Sequence, residues 1–159
     1  MSSGTLKIYN VGVVDGNIKM QGDPTGTKSA VGGLVGTSKG NLYEMKNSFY
    51  VGDINRIATK SGNSIGGLIG DCSSTAVKME NCYAITNLMY TNLTGNLVGM
   101  GGLIGNVINS PSILNCYAYT NFTTNSNSSG GYGGIIGYSL NPLVLNIKNT
   151  FSYVASKTV

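Results

Sequence analysis

Four times the chain writes an apolar residue, two glycines, two apolar residues and a third glycine. The copies are Val31-Gly32-Gly33-Leu34-Val35-Gly36, Ile65-Gly66-Gly67-Leu68-Ile69-Gly70, Met100-Gly101-Gly102-Leu103-Ile104-Gly105 and Tyr132-Gly133-Gly134-Ile135-Ile136-Gly137. Their first glycines stand 66−32=34, 101−66=35 and 133−101=32 residues apart. Periods in this range belong to architectures in which one supersecondary unit buries its apolar face only by stacking on the next. A second motif keeps step with the first. Asn47-Ser48-Phe49, Asn81-Cys82-Tyr83, Asn115-Cys116-Tyr117 and Asn149-Thr150-Phe151 follow the respective first glycines by 15, 15, 14 and 16 residues. The variable spacing falls where Gly, Ser, Asn and Thr accumulate, as they do in turns.

Between these landmarks the pattern is that of strands. Residues 6 to 20 are rich in β-branched and apolar side chains, with Asn10 in the place of the later asparagines, and read as a half coil. Residues 21 to 29 carry turn chemistry in Gly22-Asp23-Pro24 and Gly26. Alternation around Glu44-Met45-Lys46-Asn47, Val77-Lys78-Met79-Glu80-Asn81 and Asn146-Ile147-Lys148-Asn149 predicts that Met45, Met79, Ile113 and Ile147 face inward. A third segment, such as residues 86–93, crosses back to the next glycine motif. No stretch shows a helical period free of glycine and β-branched residues. The expected fold is therefore all-β: one domain over residues 1–159, a parallel β-helix (β-solenoid) of about four coils with essentially no helix. A half coil spans 6–30, and coils start near 31, 65, 100 and 132. In that geometry Asn10, Asn47, Asn81, Asn115 and Asn149 lie over one another as a structural amide ladder, with a rung spacing of about 4.8 Å.

Charge limits the functions open to such a chain. Only 10% of residues are Asp, Glu, Lys or Arg, against roughly 25% in an ordinary domain. A net charge of +4 without clustering gives no electrostatic footprint for nucleic acid. Residues 81 to 147 contain no Asp, Glu, Lys, Arg or His, which leaves an amide and hydroxyl wall suited to another subunit or to neutral glycan. There is no histidine, and the six acids are Asp15, Asp23, Glu44, Asp53, Asp71 and Glu80. The repeat sets up no acid pair of the kind a glycosidase uses: Glu44 follows its glycine by 12 residues and Glu80 by 14. No catalytic residue, metal site or cofactor is expected, and the glycine motif lacks the G-K-[ST] of a phosphate loop. No apolar run is long enough to span a membrane as a helix. Met1-Ser2-Ser3-Gly4 does not open a signal peptide.

The repeats G-G-L-[VI]-G and N-[SC]-[YF], running from Asn10 to Ser156, resemble the GLUG-motif family of bacterial surface proteins, adhesins and non-catalytic regions of some immunoglobulin A peptidases. The fourth glycine motif departs from the pattern, with Ile135 for leucine and Tyr132 before the glycines. The resemblance implies a right-handed parallel β-helix at a cell surface or in a secreted protein. It implies no catalytic residues, since the H-E-x-x-H of those peptidases lies elsewhere.

Binding candidates are rows and ends. Phe49, Tyr83, Tyr117 and Phe151 form an aromatic row. Strict alternation from Met79 puts Tyr83 inside, which is the expectation here, whereas a bend at Asn81 would turn Cys82 in and Tyr83 out. Facing out, the row would be a track for stacking sugars or a lateral interface. Leu34, Leu68, Leu103 and Ile135 pose the same question, because Val31, Gly33 and Val35 occupy the opposite face of that strand. Cys82 and Cys116 share a repeat position within reach of a disulfide, and are expected reduced and packed, since Ser48 and Thr150 fill the position elsewhere. Cys72 has no evident partner. Asn92, Asn121 and Asn127 open glycosylation sequons. Both ends of the chain are asparagine-motif strands without caps, so Ile8, Val11, Val13, Phe151 and Tyr153 are candidates for head-to-tail association with another copy. The functional expectation is a non-enzymatic structural stalk or self-associating filament, with glycan adhesion as the alternative and a polysaccharide-active enzyme third.

Overall fold

Each strand pairs in parallel with its equivalent one repeat away, so the repeat in the sequence is also the hydrogen-bonding partner in space. The computed structural model describes residues 6–22, 29–40, 43–59, 61–73, 77–92, 97–125, 130–140 and 145–158, and no helix occurs among them. The half turn is β1 (Leu6–Tyr9) and β2 (Gly12–Gln21). The first full turn is β3 (Ser29–Gly32), β4 (Val35–Ser38), β5 (Tyr43–Lys46) and β6 (Phe49–Ala58). The second is β7 (Asn63–Gly66), β8 (Ile69–Cys72), β9 (Val77–Glu80) and β10 (Tyr83–Asn92). The third is β11 (Leu97–Gly101), β12 (Ile104–Val107), β13 (Pro111–Leu114) and β14 (Tyr117–Thr124). The last is β15 (Gly131–Gly133), β16 (Ile136–Ser139), β17 (Asn146–Lys148) and β18 (Phe151–Thr158). The result is a parallel β-solenoid of about four turns with four walls. Sheet A is β1-β5-β9-β13-β17, sheet B is β2-β6-β10-β14-β18, sheet C is β3-β7-β11-β15 and sheet D is β4-β8-β12-β16.

The columns are in register. Phe49, Tyr83 and Tyr117 are direct partners across sheet B. At the glycine motif, the Leu34, Leu68 and Leu103 amides donate to the carbonyls of Leu68, Leu103 and Ile135 at 3.1, 2.9 and 3.0 Å. The longer second interval is absorbed by a register shift between Leu97 and Gly99.

Two kinds of corner turn the chain. The glycine motif does not run as one strand: it bends after its second glycine, separating sheet C from sheet D. A Cβ on Gly66 would lie 1.9 Å from the Ile69 carbonyl, and one on Gly67 would lie 2.1 Å from the Gly102 carbonyl and 2.7 Å from the Ala84 Cβ. The third glycine faces the neighbouring turn, where a Cβ on Gly70 would come 2.5 Å from the Val31 amide. Close backbone approach therefore excludes side chains at these glycines. The other corner is the asparagine. Asn10, Asn47, Asn81, Asn115 and Asn149 have φ of 57°, 49°, 53°, 52° and 48°. This left-handed conformation costs most L-residues more than it costs asparagine.

The interior is continuous. Met45, Met79 and Ile113 from sheet A meet Ile54, Leu88 and Phe122 from sheet B, all buried. Ile147, expected inside with them, is exposed instead, because it belongs to the last rung of sheet A. Residues 23–28, which hold most of the expected turn after the half coil, lie outside the described residues.

Candidate binding surfaces

The asparagine corner decides which way the aromatic row points, and the inward expectation is corrected. The left-handed residue breaks the alternation, so Cys82 and Cys116 turn into the core and Phe49, Tyr83 and Tyr117 stand half exposed on the outside of sheet B, with Phe151 exposed at the end. The rings stack in one pile, with centroids 4.7, 4.8 and 5.4 Å apart and planes within 6° of parallel. Each such contact contributes about 0.5–1.5 kcal/mol beyond burial. Stacking also occupies the ring faces. Tyr83 and Tyr117 are covered on both sides, while the end rings Phe49 and Phe151 each stack on one face only. An outward row whose rings turn their edges to solvent is poorly suited to stacking on sugars.

Two further columns run beside it on the same face. Val51, Ile85, Tyr119 and Tyr153 form the first, with Tyr119 and Tyr153 stacked at 5.1 Å. The second is polar: Asn87 Nδ2 donates to Asp53 Oδ1, and Asn121 Nδ2 to Asn87 Oδ1, each at 2.7 Å. Between these columns lies a depression of about 170 Å³, lined by Val51, Gly52, Ile85, Thr86, Asn87 and Tyr119. This second ladder went unseen in the sequence, although Asp53, Asn87 and Asn121 each follow the aromatic of their turn by four residues.

The aliphatic row is not a surface. Leu68 and Leu103 are fully buried, and Leu34 and Ile135 pack against the core from the outer turns. The bend after the second glycine brings the residues on both sides of it, Ile65 as well as Leu68 and Ile69, to the interior. A lateral interface along this row is therefore excluded.

The first asparagine ladder is continuous. Nδ2 of Asn47, Asn81, Asn115 and Asn149 donates to Oδ1 of Asn10, Asn47, Asn81 and Asn115 at 3.1, 3.1, 3.2 and 3.2 Å. The next position has its own rule. Ser48, Cys82, Cys116 and Thr150 each donate to the carbonyl two residues back, on Lys46, Glu80, Leu114 and Lys148. The site thus wants a small donor, which Ser, Cys and Thr all are. The cysteines are free and buried, and the hydrogen bond shared with Cys82, together with burial, pushes the Cys116 thiol up. Cys72 is likewise buried. Of the sequons, Asn121 sits in the second ladder, Asn127 lies outside the described residues, and only the backbone of Asn92 is described.

Sheet A carries an ion-pair cluster. Lys46 Nζ lies 3.1 Å from Glu44 and 3.3 Å from Glu80, and the Tyr9 hydroxyl donates to Glu44. Both glutamates thus meet one ammonium. The hydrogen bond from Tyr9 and the contact with Lys46 hold the Glu44 carboxyl below its ordinary range, the opposite of what a general acid needs. Asp71 is buried and accepts from Ser73 and Asn106. Among the described residues no cluster of three or more His, Cys, Asp or Glu could hold a metal. No helix there is long and apolar enough to cross a membrane.

One buried charge was missed. Arg56 is fully enclosed, and its guanidinium donates to the carbonyls of Gly22 and Ile57, to Ser29 Oγ at 3.1 Å and to Asn63 Oδ1 at 2.8 Å. It ties sheet B to the first residues of two strands of sheet C, Ser29 of β3 and Asn63 of β7. Its register partner is Tyr90, so nothing in the repeat announces it.

The ends expose apolar side chains. Of thirteen large hydrophobics exposed among the described residues, four lie in the half turn and seven in the last turn. Of the end candidates, Val11 is exposed at 41%, Phe151 at 64% and Tyr153 at 58%, while Ile8 and Val13 pack partly against the core. Compared with family models, curated proteins and solved structures, the chain matches none of them.

Proposed function

We propose that this chain is a non-catalytic structural solenoid that grows rung on rung, serving as a stalk or filament segment of a bacterial surface or secreted protein. The observation that carries this reading is the concentration of exposed apolar side chains at the two terminal rungs, eleven of thirteen, where parallel strand edges are also open. Monomeric proteins usually blunt such edges with charge, proline or a covering element. The walls between the ends expose only Ile85 and Tyr119 from that set.

The columns of sheets A and B, the two five-stranded walls, match from end to end. Continued register would set β1 of a second copy on β17 and β2 on β18, placing Ile8 over Ile147, Tyr9 over Lys148 and Gly12 over Phe151. These repeat the columns Ile8–Met45, Tyr9–Lys46 and Gly12–Phe49 inside the chain. A further coil of a longer polypeptide would offer the same rung as a second copy does. Resemblance of the repeat to the GLUG-motif family supports the right-handed turn and the surface setting.

Light scattering and negative-stain electron microscopy over a concentration series test the reading. The 159-residue chain is expected to form unbranched fibres. Val14→Lys with Phe151→Lys, which places charge on both end rungs, is expected to leave a monomer with an unchanged circular dichroism spectrum. A wild-type chain that stays monomeric at high concentration refutes self-association.

A further inference from the structure

Cys82 and Cys116 occupy the same place on adjacent turns. Each follows the left-handed asparagine of its turn, and the residues around them are register partners, Glu80 with Leu114 and Tyr83 with Tyr117. Backbone hydrogen bonds frame the pair, the Asn81 amide donating to the Leu114 carbonyl and the Tyr117 amide to the Cys82 carbonyl, each at 3.1 Å. Both thiols turn into the core, 1% exposed, and share a hydrogen bond. We propose that this pair is a redox site, at which a disulfide oxidant joins Cys82 to Cys116 and so locks the second turn covalently to the third.

Geometry selects these two sulfurs. Rungs about 4.8 Å apart put the two Cα atoms inside the roughly 4.4–6.8 Å span of a disulfide. The side chains leave the backbone alike, since each Sγ donates to the carbonyl two residues back at 3.2 Å, so one sulfur lies above the other. Ser48 and Thr150 fill the column on either side, and Cys72 stands at the end of β8 in sheet D, so no third sulfur shares the column. Sharing a hydrogen bond also separates the thiols in acidity, lowering Cys82 and raising Cys116. Cys82 is therefore the attacking sulfur. Its thiolate displaces one thiolate from a small disulfide, and the Cys116 thiolate then displaces the other from the mixed disulfide. Two protein thiols and one small disulfide become one protein disulfide and two small thiols, the two S–H protons passing to the leaving sulfurs. Enclosure sets the timing: the oxidant reaches the pair while the turns are still open, during folding, and the closed core then shields the bond from reductant. Self-association plays no part in this, because both residues lie inside one chain.

Refolding from urea with glutathione disulfide as oxidant, against refolding in dithiothreitol, tests it. Free thiols are alkylated in denaturant and the cysteines mapped by mass after chymotryptic cleavage, which serves monomer and fibre alike. Of three cysteines, the oxidised chain is expected to be alkylated only at Cys72. It should melt about 5–10 °C above the reduced chain, because the bond closes a loop of 116−82=34 residues in the unfolded state. Cys72→Ser should keep this shift. Cys82→Ser and Cys116→Ser should each lose it while melting near the reduced wild type, because Ser48 makes the same hydrogen bond at this position. If either of these two variants does not fold, the maps of wild type and Cys72→Ser decide. Alkylation of all three cysteines after oxidative refolding overturns the proposal. So does a disulfide that includes Cys72 or joins two chains, or a Cys82–Cys116 bond that leaves the melting temperature unchanged.

Discussion

Asn81 offers the sharpest test of what holds the turns together, because one residue performs two separable tasks there. Its backbone sits at φ 53°, where an alanine pays about 1–2 kcal/mol and an asparagine less. Its side chain donates to Asn47 at 3.1 Å and accepts from Asn115 at 3.2 Å. Each of those exposed bonds contributes about 0.5 kcal/mol net, the low end of the usual range. Asn81→Ala loses both tasks and should cost about 2 kcal/mol. Asn81→Gly loses only the ladder, since glycine adopts the positive φ freely, and should cost about 1 kcal/mol after part of the gain is returned as chain entropy. For a chain of this length these figures correspond to drops in Tm of about 4–8 °C and 2–4 °C. Asn81→Asp, tolerant of the same backbone, keeps the acceptor but cannot donate while ionised, so its loss should shrink as acid protonates it. Thermal melts followed by circular dichroism give the comparison. If alanine and glycine destabilise equally, the left-handed corner is not what selects asparagine; if Asn81→Ala melts within 1 °C of wild type, the ladder contributes nothing.

Gly67→Ala should cost about 3 kcal/mol, because the new Cβ would lie 2.1 Å from a backbone carbonyl. Gly36→Ala, whose nearest neighbour is 3.1 Å away, should stay within about 1 kcal/mol in the same denaturation assay. Arg56→Ala strips donors from two carbonyls, Ser29 and Asn63, and should cost about 3–5 kcal/mol; Arg56→Lys, which lacks the fork, should recover only part of this in urea titrations. The charged cluster makes stability depend on pH at both extremes. Glu44, held below its ordinary 4.5 by Tyr9 and Lys46, stabilises above that value and loses its contribution as pH falls through the lowered one. Tyr9, raised above 10.0 by its bond to Glu44, contributes below pH 10 and loses it as pH rises through the raised value. Melts across this range should show both limbs in wild type and flatter ones in Glu44→Gln.

The turns were legible in the sequence because stacking forces equivalent residues into one column, so that period, register and ladder are a single signal. Met45, Met79 and Ile113 could be placed inside by alternation alone. Direction after the corner could not. Whether Tyr83 faces in or out depends on one dihedral at Asn81, and nothing in Asn-Cys-Tyr distinguishes a left-handed residue from an extended one, although asparagine is the common non-glycine residue there. The glycine motif failed for a related reason. Read as a strand it offers two faces, but the contact distances at Gly66 and Gly67 show a bend that gives it one. Arg56 was illegible because it breaks the column: its neighbours in register are Met20 and Tyr90, and only the acceptors gathered from other segments explain a buried guanidinium.

Column logic also bears on how two such chains could join. Sheets A and B contain five strands and sheets C and D four, so the described residues make up four and a half turns. Setting β1 of one 159-residue chain on β17 of another closes sheets A and B across the junction. The ramp of the solenoid then carries β3 and β4 of the upper copy two rungs above β15 and β16, about 9.6 Å rather than 4.8 Å. One glycine corner would be missing from each junction. Two walls of hydrogen bonds would hold where four hold within the chain, and the Leu68-type column would be broken there. A fibre of this kind should therefore come apart at its junctions under denaturant well before its subunits unfold. Supplying one more glycine corner, by extending the chain through a copy of residues 61–73 after its last strand, should bring dissociation and unfolding together. If the extended and original chains dissociate at the same urea concentration, the junction is not built on continued register.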